Sequence, residues 1–168
     1  VNTYACSNEL NIDNTTTGIG TACHEFSHCL GLADHYDTSS QGNPTPEAWD
    51  LMASGSYNNN QRTPVGYTAF ERWLSGWLDP TEINAPTTVT GMKPIDQTPE
   101  AYILTNDNNP DEFYILENRQ LSKWNRFPGG HGLLIMHVDY DARYFAYNQV
   151  NVEADHLRMQ VVPADGSI

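Results

Sequence analysis

Residues 24–34 read His-Glu-Phe-Ser-His-Cys-Leu-Gly-Leu-Ala-Asp, and this run restricts the fold more than any other part of the chain. Residues on a helix advance by about 100° each, so positions four apart lie only about 40° from one another. A helix through the run therefore projects His24 and His28 from one face. Two imidazole nitrogens placed that way can meet one metal ion. Glu25 sits beside His24 but points elsewhere, which suits it to proton transfer rather than ligation. Gly31 has no Cβ and can end the helix in a left-handed conformation that swings the chain back. Asp34 then arrives as a third ligand, with His35 as its rival; the offset of Asp34 from His24 favours the aspartate.

The run fits HExxHxxGxxD, a zinc-peptidase signature extended by a glycine and an acidic residue. Zinc lowers the pKa of bound water toward about 7. Glu25 would take a proton from that metal-bound water and pass it to the leaving amine. In a different zinc architecture a glutamate from a later helix supplies the third ligand, and Glu71 is the candidate, although Gly31 argues against it. Met52 follows His28 by 24 residues, inside Asp50-Leu51-Met52-Ala53-Ser54-Gly55-Ser56. A signature of this kind followed by a methionine-bearing turn resembles the metzincins, in which the turn runs beneath the metal ligands.

The aspartate variant narrows the resemblance to the immune inhibitor A family of secreted bacterial metallopeptidases. The segments that carry it are 24–28, 32–38, 49–56, Glu71-Arg72, 76–78, Glu117-Asn118-Arg119-Gln120, 132–139 and Ala164-Asp165-Gly166. The resemblance implies a zinc endopeptidase with His24, His28 and Asp34 as metal ligands, Glu25 as the catalytic base and Met52 as the Met-turn residue. It implies a protein or peptide substrate and a secreted or cell-envelope location in a bacterium, and it admits calcium as a further cation. Many metzincins carry a tyrosine two residues after the turn methionine. Here that position is Ser54, and Tyr57 stands nearby but out of register.

Apolar residues make up 39% of the 168-residue chain, enough for a real core. A net charge of −13 argues against a nucleic-acid groove or an anionic-membrane surface. No apolar run approaches a membrane span, and Val1-Asn2-Thr3-Tyr4 has neither the basic end nor the apolar stretch of a signal peptide. Cys6 and Cys23 can form a bridge that leaves Cys29 over; three buried thiols are the alternative. Apolar spacing predicts a helix over 17–30 with Thr17 as its cap. A second helix is expected from Pro64, with Thr63 as cap and Gly76 and Pro80 bracketing its end. After Pro80 short β-prone runs take over, at 102–105, 113–117, 132–138 and 157–162. His131, His137 and His156 in this region read as ordinary structural or surface histidines.

The fold class expected is α+β: the C-terminal part of a metzincin-like zinc-peptidase domain over residues 1–80, mainly helical, followed by a β-rich segment over 81–168. Metzincin folds place a mixed sheet before the zinc helix, and its edge strand binds the peptide by β-addition. Only 23 residues precede His24, so a missing N-terminal part of the same protein is expected to complete the groove. A competing function is a β-rich binding or interaction module attached to an incomplete or inactive zinc domain. The intact Glu25 favours the enzyme.

Overall fold

A computed structural model describes residues 4–164; Val1, Asn2 and Thr3, and Asp165 and Gly166 of the family-like 164–166 segment, lie outside them. The architecture is mixed α+β, built around one five-stranded sheet in the order β1-β2-β3-β4-β5. The strands are β1 (Thr81–Glu82), β2 (Ala101–Asn106), β3 (Asn109–Arg119), β4 (Gly132–Asp139) and β5 (Met159–Val161). β1 runs parallel to β2 and every other neighbour pair is antiparallel.

Alternation sets the faces of this sheet. Phe113, Ile115, Glu117 and Arg119 of β3 point inward, as do Leu134, Met136 and Val138 of β4 and Ala101 and Ile103 of β2. The pairings Ile103↔Ile115 and Ile115↔Met136 bring these side chains into one layer. Phe70 of α2 (Ala69–Leu74), Phe145 of α3 (Ala142–Ala146), Val150 and Ala33 close over that layer. Residues from both halves of the chain therefore share a single core.

The helices are shorter than apolar spacing predicts, and residues 4–80 are mostly loop rather than mainly helical. Helix α1 spans Gly20–Cys29, not 17–30. Thr17 does not cap it: its hydroxyl donates to the Asn8 carbonyl at 2.7 Å. The amide of Gly20 instead donates to Gln61 O at 2.8 Å, so a tertiary contact satisfies the first turn. Helix α2 starts at Ala69, five residues beyond Pro64, and Thr68 rather than Thr63 caps it. Thr68 and Glu71 form a reciprocal capping box. Residues 64–67 cannot join the helix because their backbone is engaged elsewhere: Val65 N donates to Gly55 O at 3.0 Å and Gly66 O accepts from Arg119 Nη1 at 3.1 Å. The last expected strand is likewise trimmed from 157–162 to 159–161.

Both helices end on glycine with the same geometry. In α2, Gly76 (φ +72°) donates to Trp73 O and Trp77 to Arg72 O. In α1, Gly31 (φ +97°) donates to His28 O at 3.0 Å and Leu32 to Ser27 O at 3.2 Å. These paired bonds are Schellman closures, and they reverse the chain direction at each helix end. The buried Glu117–Arg119 pair of β3 then holds α2 in place, with Glu117 accepting from the Ala69 amide and Arg119 donating to Asn125 Oδ1 at 2.8 Å.

All three cysteines carry free thiols, with Cys6 and Cys29 exposed and Cys23 half-buried. Neither a Cys6–Cys23 bridge nor a set of buried thiols is present.

α1 rests so closely on the 3₁₀ turn Ser54–Tyr57 that a Cβ at Gly20 would stand 1.8 Å from Ser56 O. Gly20→Ala should therefore cost about 1–3 kcal/mol of stability despite alanine's better helix propensity. Denaturant unfolding midpoints test this, and an unchanged or raised midpoint would contradict the close approach.

Candidate metal centre

The Schellman turn at Gly31 carries the chain back over α1. Asp34, 5% exposed, comes to rest against both histidines of the helix. His24 Nε2 lies 2.9 Å and His28 Nε2 3.3 Å from Asp34 Oδ1. One ligand atom from each of the three residues lies within 4.8 Å of the others.

Each histidine is held from behind. His24 Nδ1 lies 2.9 Å from Leu51 O, and His28 Nδ1 lies 2.8 Å from Leu32 O. A carbonyl oxygen only accepts, so both Nδ1 atoms carry a hydrogen; in a neutral ring Nε2 is then the lone-pair atom, and in a protonated ring Nε2–H donates to Asp34. Both Nε2 atoms and one carboxylate oxygen converge. Two imidazole nitrogens and a carboxylate oxygen are a donor set that fits a metal ion. Burial disfavours a charged Asp34, but hydrogen bonds from His24, His28 and Asn148 outweigh it and hold the carboxyl well below the usual range. Burial also opposes a charge on His24, yet Asp34 and the Leu51 carbonyl shift its pKa upward.

Met52 is fully buried. Its turn acts through the backbone: Leu51 O anchors His24, and Met52 O accepts from the His35 amide at 2.8 Å. Glu25 is half-buried and opens onto a cleft of about 330 Å³ lined also by Thr21, His24, Tyr36 and Tyr57. The Tyr36 ring stacks on His24 at 6.3 Å between centroids.

The two alternative third ligands are turned away from this cluster. His35, 0% exposed, places Nδ1 3.0 Å from Asp50 Oδ2 and packs its ring against Phe70 and Phe145. Glu71 is spent on its capping box, where Oε2 accepts from the Thr68 amide at 2.6 Å. His35, Asp50 and Glu71 form a second group of converging side chains, all fully buried. Among the described residues no further set of three such side chains converges. His137 and His156 pair with Glu112 and Asp139.

Sequence reasoning missed Asn148. It lies 114 residues from Asp34, yet its Oδ1 accepts from the Asp34 amide at 2.5 Å and its Nδ2 donates to Asp34 Oδ2. No spacing or composition signal links the two positions. Tyr36 was within reach of sequence reasoning, since it follows Asp34 by two residues and so falls on the same loop.

Residues 1–80 match the family model described as immune inhibitor A peptidase M6, catalytic domain. The chain is 38% identical over 63 residues to the pre-pro-metalloprotease PrtV of Vibrio cholerae serotype O1, a match covering 35% of this chain and 6% of that relative. It is 31% identical over 75 residues to immune inhibitor A of Bacillus thuringiensis subsp. alesti, covering 39% of this chain and 11% of that protein. This chain thus matches only a small part of each relative's length. No solved structure matches.

Burial and the neighbouring Asp50 carboxylate push the Glu71 carboxyl well above its ordinary value of 4.5. The folded chain therefore keeps a proton that the unfolded chain releases near that pH, and this linkage lowers stability as pH rises further. Glu71→Gln keeps an acceptor for Thr68 and removes the ionisation. Its stability relative to wild type should climb between pH 4.5 and 7.5 in urea titrations. Parallel pH profiles for the two proteins would contradict the assignment.

Proposed function

We propose, from the immune inhibitor A peptidase M6 catalytic-domain sequence of residues 1–80, that this chain carries the metal centre of a zinc-dependent endopeptidase. The observation that supports this most is the pair of imidazoles locked at Nδ1, with both Nε2 atoms and Asp34 Oδ1 converging. His24, His28 and Asp34 would hold the ion. Zinc bound there would supply a Lewis-acid charge that acidifies water near neutral pH and polarises a peptide carbonyl.

The chain's own residues do the rest. Glu25, on the cleft wall beside His24, accepts the proton that water gives up as it attacks the peptide carbon, and returns it to the departing amine. The Leu51 and Leu32 carbonyls keep both rings in one tautomer and orientation throughout. Asp34 offsets one positive charge and so moderates the centre's pull on electrons. Tyr36 and Tyr57 line the same cleft, and a phenol hydroxyl there would suit donation to the oxygen that becomes negative.

The substrate class is protein or peptide. One relative is named as a pre-pro-metalloprotease, and export from a bacterial cell is part of the proposal. No helix among the described residues is long and apolar enough to cross a membrane. The sharing of one core by residues from both halves of the chain supports a single catalytic unit over a detachable β-rich binding module.

Casein hydrolysis and zinc content test the reading together. Glu25→Ala should retain stoichiometric zinc and lose about 10²–10⁴-fold in kcat. Asp34→Ala should lower zinc affinity beyond the roughly 10–100-fold typical of losing an outer-shell partner, whereas His35→Gln should stay within that range. Chelation should abolish hydrolysis, and added zinc should restore it. A wild-type chain that takes up no stoichiometric zinc would sink the proposal.

A further inference from the structure

We infer that Asn148 is a positioning residue for the metal centre: its side-chain amide fixes Asp34 so that one carboxylate oxygen faces both histidines. The inference rests on the zinc reading above and extends it to residues beyond the matched segment.

The geometry is specific. The Asp34 backbone amide donates to Asn148 Oδ1 at 2.5 Å, and Asn148 Nδ2 donates to Asp34 Oδ2. A backbone N–H can only donate and a carboxylate can only accept, so the orientation of the Asn148 amide is forced. With Oδ2 engaged, Oδ1 is the oxygen turned to His24 and His28. Asn148 thus does for Asp34 what the Leu51 and Leu32 carbonyls do for the two imidazoles. Every one of the three candidate ligands then has an outer partner, which is how metal ligands are held in one orientation.

The chemistry calls for asparagine at this point. A side chain must accept from one atom and donate to another roughly a peptide's width away. Aspartate cannot donate, and a hydroxyl is too small to span both. The backbone asks for the same residue, because Asn148 has φ +60° and asparagine tolerates the left-handed region better than most side chains. The segment around it is stapled to the ligand loop at three further points. Thr38 Oγ1 donates to Asn148 O at 2.9 Å, Asn43 Nδ2 to Asn151 O at 3.0 Å, and Asn151 Nδ2 to His35 O at 2.8 Å. Of these bonds only the Asn148 side chain reaches a candidate ligand's carboxylate.

Two variants isolate that contact. Asn148→Gly keeps the left-handed backbone and removes the amide. Asn148→Asp keeps the shape and replaces the donor with a second carboxylate oxygen. Thr38→Val is the control, since it loosens the same segment without touching Asp34. Zinc affinity is read by chelator competition on the 168-residue chain, and the geometry of the centre by the visible spectrum of the cobalt-substituted protein. Circular dichroism melts of the metal-free forms report folding.

Both Asn148 variants should bind zinc about 10–100-fold more weakly, with altered cobalt bands, while Thr38→Val stays within about twofold on that scale. Wild-type affinity and an unchanged cobalt spectrum in both Asn148 variants would overturn the inference and leave the zinc reading standing. Equal weakening in Thr38→Val would also overturn it, because the effect would then belong to the segment and not to the amide. A wild-type chain that binds neither metal would overturn both readings at once.

Discussion

The Asp34 carboxylate is the point at which three remote pieces of chain meet. One oxygen faces His24 and His28 on α1, and the other is held by Asn148, which follows α3. Remove the reversal at Gly31 and this meeting cannot form, because a continued helix would carry residue 34 away from the histidines. The left-handed glycine and its two Schellman bonds therefore come before everything else in the site. They convert a linear spacing of ten residues into a contact of 2.9 Å.

Around that contact the protein buries an unusual amount of polarity. Asp34, His35, Asp50, Glu71, Glu117 and Arg119 are all nearly or fully inaccessible. Such groups are costly unless paired, and most are: Asp50 takes the Met52 amide and His35, and Glu117 takes Arg119 and the first amide of α2. The pairings join segments that apolar packing alone would leave free to slide. The loop carrying Asp34 and His35 is fastened to the turn at Met52, that turn to the buried cluster, and α2 to β3. Within that cluster His35 Nε2 and Glu71 Oε1 lack hydrogen-bond partners, a desolvation cost the surrounding pairings must offset.

Much of the local structure was legible in advance. The i, i+4 histidines, the terminating glycine and the alternating strands follow from helix and sheet periodicity. Boundaries were less so. Thr63-Pro64 and Thr17 carry good start signals, yet the helices begin at Ala69 and Gly20. The carbonyls of Gly55 and Gln61 and the guanidinium of Arg119 engage backbone groups at the two helix starts. Local propensity is worth tenths of a kcal/mol per residue, and a buried hydrogen bond outweighs it.

The amino-acid sequence by itself determined which atoms can bind a metal and which residue can move a proton, because those properties belong to side-chain chemistry and to spacing along one helix. It also marked Gly31 and Gly76 as turn positions, since glycine enters the left-handed region at no steric cost. Tertiary structure alone decided that His35 faces Asp50 and not the histidine pair, that Glu71 caps a helix, and that Asn148 reaches Asp34. The reason is physical: these choices depend on contacts between residues tens to more than a hundred positions apart, and no periodicity relates such positions until the sheet and helices have packed.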